Sequence, residues 1–259
     1  MRLDYHIHTG LTDGTGKPVE YARVALSRGL DEIGFSDHAP FENRETDWTL
    51  TLPKLHTYVE WVREAQREFP QLPIKLGLEV DFVPGCEAWV RKLAALYPWD
   101  YFLGSVHYLG DWPVDRSADD WKDQDVEARW REYFQLWTRA AESRLFDSLA
   151  HPDLPKKFRL CPRADFAPVF REALCAVAAS GMAIEVSTGG LRKPCREIYP
   201  SEIFLRLARE LDVPITLGSD AHIPEDVGID FDKAVALARR CDYESVCRFT
   251  QRKRELVAL

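Results

Sequence analysis

Nine histidine and carboxylate side chains, each at or just after the end of an apolar run, are the residues best suited to chemistry in this sequence. The first two are His6 and His8, which stand two residues apart in a short apolar run. Because side chains alternate faces along a strand, both imidazoles point the same way, and each needs a hydrogen-bond partner or a metal. One such pair alone is more typical of hydrogen-bonded core histidines. The pattern recurs along the chain, however, and the full set is His6, His8, Asp13, His38, Glu79, His107, His151, Asp220 and His222.

Six of the seven histidines in the chain belong to this set, and the seventh, His56, lies in the middle of a predicted helix. Imidazole and carboxylate groups together suit zinc, iron and manganese. Nine ligands exceed what one or two ions need, and three ions that share bridging ligands account better for this number. The sequence therefore predicts a site for up to three divalent transition-metal ions (Zn, Fe or Mn).

The elements that carry these side chains alternate between short apolar strands and amphipathic helices. Seven strand-then-helix units follow one another without a linker, a low-complexity segment or an internal repeat. This alternation predicts an α/β fold with parallel strands, either closed into a barrel or doubly wound, and in such barrels the chemistry lies at the carboxyl ends of the strands. Two last helices are expected at about 225–240 and 243–255. We expect a single domain over 1–259.

The bulk composition restricts the classes of partner. The net charge is −8, which argues against a general affinity for nucleic acid or an anionic membrane surface. The six cysteines include no Cys-x-x-Cys pair, and no apolar stretch is long enough to span a bilayer. We expect no signal peptide, because the first residues lead directly into a strand with polar ends. A cytoplasmic protein with free thiols is expected. The oligomeric state is left open.

Six stretches around the ligands resemble motifs of the polymerase and histidinol phosphatase (PHP) superfamily. They are His6-Ile7-His8-Thr9 with Asp13-Gly14, Phe35-Ser36-Asp37-His38, Gly77-Leu78-Glu79, Gly104-Ser105-Val106-His107, Ala150-His151-Pro152 and Gly218-Ser219-Asp220-Ala221-His222. They follow the family's order from residue 3 to about 224. The resemblance implies a distorted (β/α)7 barrel with a trinuclear metal site at the C-terminal ends of the strands.

The resemblance also implies how the nine ligands divide among three ions. The first ion would be held by His6, His8, Glu79 and Asp220. The second would be held by Asp13, His38 and His222. Glu79 would bridge to the third ion, whose coordination His107 and His151 would complete.

Stretches that surround the ligands resemble the histidinol-phosphatase branch, namely 79–82, 105–109, 151–158 and 190–194 with 197–201. That branch implies hydrolysis of a small phosphorylated substrate, L-histidinol phosphate, to L-histidinol and inorganic phosphate in histidine biosynthesis. A water that bridges two divalent ions loses its proton near neutral pH and would act as the nucleophile. Consistent with this mechanism, the sequence has no Gly-x-Ser-x-Gly motif, P-loop or reactive-cysteine motif.

Basic residues after two of the predicted strands are candidates for binding phosphate. Arg192 and Lys193 follow Gly189-Gly190, where the backbone can approach a ligand closely. Lys156 and Arg159 are second candidates. Each could instead be a solvated surface residue, and the functional interpretation is favoured for Arg192. Asp220, His222 or a metal-bound water could protonate the leaving oxygen.

The Trp- and Asp-rich segment 111–121, which includes Asp115, offers carboxylates and indole faces to a cationic leaving group, although a merely solubilising loop is an equal alternative. Two other functions stay open. One is a PHP phosphoesterase for nucleotides, phosphodiesters or phosphotyrosine, which the acidic charge disfavours for nucleic acid. The other is a non-catalytic metal-binding module, which the complete ligand set disfavours.

Overall fold

The computed structural model describes residues 1–44 and 46–259 and contains a seven-stranded parallel sheet. The strands of the described residues are β1 (Leu3–Asp4), β2 (Glu32–Phe35), β3 (Ile74–Asp81), β4 (Tyr101–Ser105), β5 (Tyr108–Leu109), β6 (Trp112–Pro113), β7 (Ser148–Leu149), β8 (Ala183–Ser187), β9 (Ile215–Gly218), β10 (Ser245–Thr250) and β11 (Lys253–Ala258). The parallel sheet has the order β1-β2-β3-β4-β7-β8-β9, and the other four strands form two hairpins.

The two edge strands of this sheet approach each other and close it into a barrel. The backbone N–H of Tyr5 donates to the carbonyl of Leu217 at 3.1 Å, and that of Ala221 donates to His6 at 3.1 Å. The predicted distorted (β/α)7 barrel is therefore confirmed.

The helices of the described residues pack outside the barrel. They are α1 (Pro18–Ser27), α2 (Leu52–Glu68), α3 (Glu87–Ala94), α4 (Val126–Ser143), α5 (Ala167–Ser180), α6 (Glu202–Glu210) and α7 (Phe231–Arg240). Across the described ranges, none of them has both the length and the apolar character that crossing a bilayer requires.

Tyr101 fills the interior of the barrel beneath the ligands. Its hydroxyl donates to the backbone carbonyls of Tyr5 at 2.8 Å and Phe35 at 3.0 Å. A Cβ atom at Gly34 or Gly77 would overlap the Tyr101 ring, so the two strands that carry these glycines can approach the ring only without side chains there. This packing fixes β1, β2 and β3 relative to one another.

The chain ends in the β10–β11 hairpin, so the prediction of a helix at about 243–255 was wrong, and the preceding helix begins later than expected, at Phe231. Val246, Cys247 and Phe249 are buried against the barrel. Gln251 and Arg252 form the turn with φ values of 51° and 62°, a conformation that Asn and Gly usually supply. Because neither residue is typical of such a turn, the sequence carried no hairpin signal.

Candidate metal centre

All nine predicted ligands lie together at the carboxyl ends of the strands. A cavity of about 410 Å³ is lined by seven of them, Asp13, His38, Glu79, His107, His151, Asp220 and His222, while His6 and His8 are fully buried. In the described part of the chain, four groups have ligand atoms that all lie within 4.8 Å of one another. These groups are His8, Asp13, His38 and His222; His6, Glu79 and His151; His6, His8 and Asp220; and His38, Glu79 and His107.

Glu79, near the end of the longest barrel strand β3, occupies the middle of the site and is only 1% exposed. Its Oε2 lies 3.2 Å from His6 Nε2 and 3.0 Å from His38 Nδ1. Its Oε1 lies 3.0 Å from His151 Nε2 and 3.6 Å from His107 Nε2. Burial raises the pKa of this carboxyl, but the surrounding histidines outweigh burial and hold the pKa well below its ordinary value. The two oxygens therefore face different histidines, as a bridging carboxylate must.

Several imidazole nitrogens in the site are buried without a well-directed hydrogen bond among the described residues. They are His6 Nε2, His8 Nδ1 and Nε2, His38 Nδ1 and His151 Nδ1. Buried polar atoms are nearly always paired in folded proteins, so a cluster of unsatisfied nitrogens beside carboxylates needs an explanation. Nitrogen lone pairs that converge with carboxylate oxygens are what a divalent transition metal requires. The residues present fit such ions.

His8 lies between two other imidazoles, with ring centroids 4.4 Å from His38 and 4.5 Å from His222. Burial, together with these two rings, lowers the pKa of His8 to about 3. His8 is thus neutral at physiological pH, which is the protonation state that binds metal. At the mouth of the cavity, His222 Nε2 lies 3.0 Å from a carboxylate oxygen of Asp13.

Two buried carboxylates that the sequence analysis did not identify hold three of the ligands. Glu185 Oε1 lies 2.7 Å from His6 Nδ1, and its Oε2 accepts a hydrogen bond from the backbone N–H of His151 at 2.8 Å. Asp81 lies 3.0 Å from His107 Nδ1 and also accepts from the backbone N–H of that residue at 3.0 Å. Such carboxylates orient the imidazoles of metal sites. The sequence signal for Glu185 was an acid inside the apolar run of β8. The signal for Asp81 was an acid two residues after Glu79, on the same face of β3.

Arg192 has contacts that differ from those predicted for a phosphate ligand. Its Nη2 donates to the backbone carbonyls of Ser219 at 2.6 Å and Asp220 at 3.0 Å, and its Nε lies 3.0 Å from Asp226. The cavity wall includes the neighbouring Lys193 but not Arg192. Arg192 therefore holds the turn that presents Asp220, whose φ of 54° is unusual for a residue other than glycine. Direct contact with phosphate stays a prediction.

The second pair of predicted phosphate ligands lies away from the cavity wall. The Lys156 side chain is buried, with Nζ 3.0 Å from Asp153 and 2.7 Å from the carbonyl oxygen of Ile198. Arg159 donates to the carbonyl of Pro194 at 2.6 Å. These contacts join two loops, and direct phosphate binding by either residue stays a prediction. Lys157, which the sequence analysis passed over, lines the cavity instead.

The segment 111–121 brings Asp115 to the cavity but not its indole rings. Asp115 lines the cavity, 2.8 Å from Lys157 Nζ. Burial raises the pKa of Asp115, but His107 and Lys157 outweigh burial and lower this pKa below its usual range. The indole N–H groups of Trp112 and Trp121 donate to backbone carbonyls of the same segment. The two rings pack against each other with centroids 4.9 Å apart. The two indoles therefore pack within the segment, and binding of the leaving group by Asp115 stays a prediction.

Comparison with known proteins agrees with this geometry. The sequence matches the PHP domain family over residues 4–189 and the PHP-associated family over 203–229. It is 42% identical over 238 residues to a probable histidinol-phosphatase of Deinococcus radiodurans, and the match covers 90% of each chain. It is 29% identical to the histidinol-phosphatase of Bacillus subtilis, and that match covers 93% of this chain and 100% of the relative. The fold superimposes with a TM-score of 0.86 on histidinol phosphate phosphatase from Lactococcus lactis, solved with zinc, L-histidinol and phosphate, at 26% identity over 98% of both chains. The family match over more than half of its length and the identity to the Deinococcus protein establish that this chain belongs to the PHP domain family.

Proposed function

We propose that this chain hydrolyses L-histidinol phosphate to L-histidinol and inorganic phosphate. The observation that carries the proposal is the set of unsatisfied imidazole nitrogens that surrounds the Glu79 carboxylate in the cavity at the strand ends. The relatives from Deinococcus radiodurans and Bacillus subtilis, which have the names of histidinol-phosphatases, support it. So does the Lactococcus lactis enzyme, which binds both L-histidinol and phosphate.

The nitrogen and oxygen donors fit up to three divalent transition-metal ions (Zn, Fe or Mn), and zinc is the metal in the Lactococcus lactis structure. We assign the ligands as His6, His8, Glu79 and Asp220 for the first ion, Asp13, His38 and His222 for the second, and Glu79, His107 and His151 for the third. Divalent cations bound there would supply an acidified water and offset negative charge on the phosphoryl oxygens, which the slow hydrolysis of a monoester requires.

The remaining residues of the cavity would bind and orient the substrate. Lys193 lies on the wall and forms no ion pair with any described side chain, so its ammonium group is available to a phosphate oxygen. Arg192 keeps Asp220 in place through the backbone. Asp220 and His222, both on the cavity wall, are our candidates for transferring the proton to the leaving oxygen.

We also propose that residues 1–259 act as one domain, because the C-terminal hairpin packs against the barrel. The buried Glu32 at the start of β2 accepts from Arg248 of β10 at 2.7–2.8 Å and from the hydroxyl of Tyr5. A step of histidine biosynthesis in the cytoplasm is the proposed setting. All six cysteines are free in the structure, as expected for a reducing compartment.

A substrate panel tests the proposed reaction. Purified protein would be assayed on L-histidinol phosphate, a nucleoside monophosphate, phosphotyrosine and a phosphodiester, while mass spectrometry measures the bound metals. We expect the highest kcat/KM on L-histidinol phosphate and activity that follows metal content. A higher kcat/KM on a diester or on phosphotyrosine would overturn the proposed substrate.

A further inference from the structure

We infer that Asp47 and Trp48, in the loop between β2 and α2, form the subsite for the cationic end of the substrate, across the cavity from Lys193. The inference rests on the proposed function and identifies residues that determine its specificity. Neither residue stands out in the sequence, where the Trp- and Asp-rich segment 111–121 is one of two alternatives for a contact with the leaving group. The structure instead buries the indole N–H groups of that segment in internal hydrogen bonds.

The charges on the cavity wall single out Asp47 and Lys193. Of the other charged side chains there, Asp115 pairs with Lys157 at 2.8 Å, and Arg116 pairs with Asp120 at 2.5 Å. The remaining carboxylates of the wall contact histidines of the metal centre. Within 1–44 and 46–259, Asp47 and Lys193 are the charged residues of the wall without an ion pair or a side-chain hydrogen bond. One free negative charge and one free positive charge therefore face the same cavity.

The strand order places these two charges on different sides of the barrel. Asp47 follows β2 and Lys193 follows β8, and the closed order β1-β2-β3-β4-β7-β8-β9 separates these strands by two strands on one side and three on the other. In a seven-stranded ring this is the largest separation that two strands can have. The metal ligands lie between them. A substrate that spans the metal centre can therefore meet Lys193 with one end and Asp47 with the other.

Trp48 forms an aromatic wall beside Asp47, directly over the ligands. The backbone N–H of Leu50 donates to the carbonyl of His38 at 2.9 Å, which fixes this part of the loop. The indole lies edge-to-face with His38 at a centroid distance of 4.7 Å and with His107 at 6.0 Å, and it stacks with Tyr108 at 6.2 Å. An aromatic face next to a free carboxylate attracts a flat or cationic group.

L-Histidinol phosphate has the matching distribution of charge. Its phosphate end is a dianion, and its other end has a protonated amine and an imidazole ring. Lys193 would bind the phosphate, Asp47 the amine, and Trp48 the imidazole ring. The cavity thus selects a phosphate monoester whose leaving group is cationic over one whose leaving group is neutral.

Exchange of Asp47 for the neutral isostere tests this inference. Parent, Asp47→Asn and Asp47→Glu would be assayed on L-histidinol phosphate and on phenyl phosphate, whose leaving group has a ring but no cation. The inhibition constants of L-histidinol and of inorganic phosphate would be measured with the same proteins. Glu42→Gln is the matched control, because Glu42 is an exposed acid of the same loop that lines a neighbouring cavity instead.

In Asp47→Asn we expect the ratio of kcat/KM on L-histidinol phosphate to kcat/KM on phenyl phosphate to fall roughly two- to fivefold, the loss that an exposed ion pair typically gives. The inhibition constant of L-histidinol should rise by a similar factor, more than that of inorganic phosphate. Asp47→Glu should recover most of the ratio, and Glu42→Gln should keep that of the parent. An unchanged ratio in Asp47→Asn would overturn this inference alone. A parent protein that hydrolyses phenyl phosphate but not L-histidinol phosphate would overturn the proposed function.

Discussion

Glu185 Oε1 lies 2.7 Å from His6 Nδ1, and both side chains are fully buried. Because Nδ1 of His6 faces this carboxylate, Nε2 is the nitrogen that faces Glu79 and Asp220. Because the other oxygen of Glu185 accepts the backbone N–H of His151, one side chain of β8 orients ligands from two different strand ends. Gly218 makes room for it, since a Cβ there would overlap the carboxylate.

Glu185→Gln should weaken metal binding while the fold is retained. The amide has nearly the same shape, but it cannot accept hydrogen bonds from both His6 and His151, because one of its two atoms is a donor. Loss of such a supporting carboxylate typically costs about ten- to a hundredfold in metal affinity. Zinc affinity would be measured by competition with a chelator. Glu172→Gln, an exposed acid on α5, is the control, and equal zinc affinity in the two variants would contradict the role assigned to Glu185.

Glu79→Gln should lower metal content and phosphatase activity together. In the proposed assignment Glu79 contacts two ions, and its two oxygens face separate sets of histidines. The amide retains one oxygen and replaces the other with a donor, so at least one ion should be lost. Metal content by mass spectrometry and kcat on L-histidinol phosphate would be measured in the same samples. Full activity in metal-stripped parent protein, without metal added back, would exclude metal-dependent hydrolysis.

Metal loading should release protons at neutral pH. In the metal-free protein, burial lowers the pKa of both His107 and His222, but neighbouring carboxylates outweigh burial. Asp81 and Glu79 raise the pKa of His107 to about 10. Asp220 and Asp13 raise the pKa of His222 to about 9. Both rings are therefore protonated at pH 7.5, whereas a metal binds the neutral ring. Apparent zinc affinity should rise with pH until about pH 9–10 and then level off. Zinc titrations in a weakly buffered indicator solution would measure the protons, and zinc binding without proton release would contradict the expected charge state.

The nine candidate ligands could be identified from sequence because each is a polar residue at or just after the end of an apolar run. This pattern can be recognised without knowledge of the tertiary contacts. The residues around them could not be identified in the same way. Lys156 and Lys157 are neighbours with the same side chain, and only the turn of the loop decides that the first is buried against Asp153 and the second lines the cavity. Asp47 and Trp48 lie in a polar loop, within 41–51, whose sequence does not reveal which side chains face inward; Glu45 of that loop lies outside the described residues.

Lys193→Gln and Arg192→Gln should separate phosphate binding from metal positioning, although the two residues are adjacent. Lys193 lines the cavity without an ion pair among the described side chains, so its loss should lower kcat/KM by about tenfold or more, raise the inhibition constant of inorganic phosphate and leave the metal content intact. Arg192 bonds to the carbonyls of Ser219 and Asp220 and pairs with Asp226, so its loss should loosen Asp220 and lower metal affinity as well as activity. Zinc affinity, kcat/KM and phosphate inhibition would be measured for both variants. If Arg192→Gln kept parental zinc affinity but lost phosphate inhibition, the sequence-based prediction that Arg192 binds phosphate would be supported. The role of Arg192 in positioning Asp220 would then be contradicted.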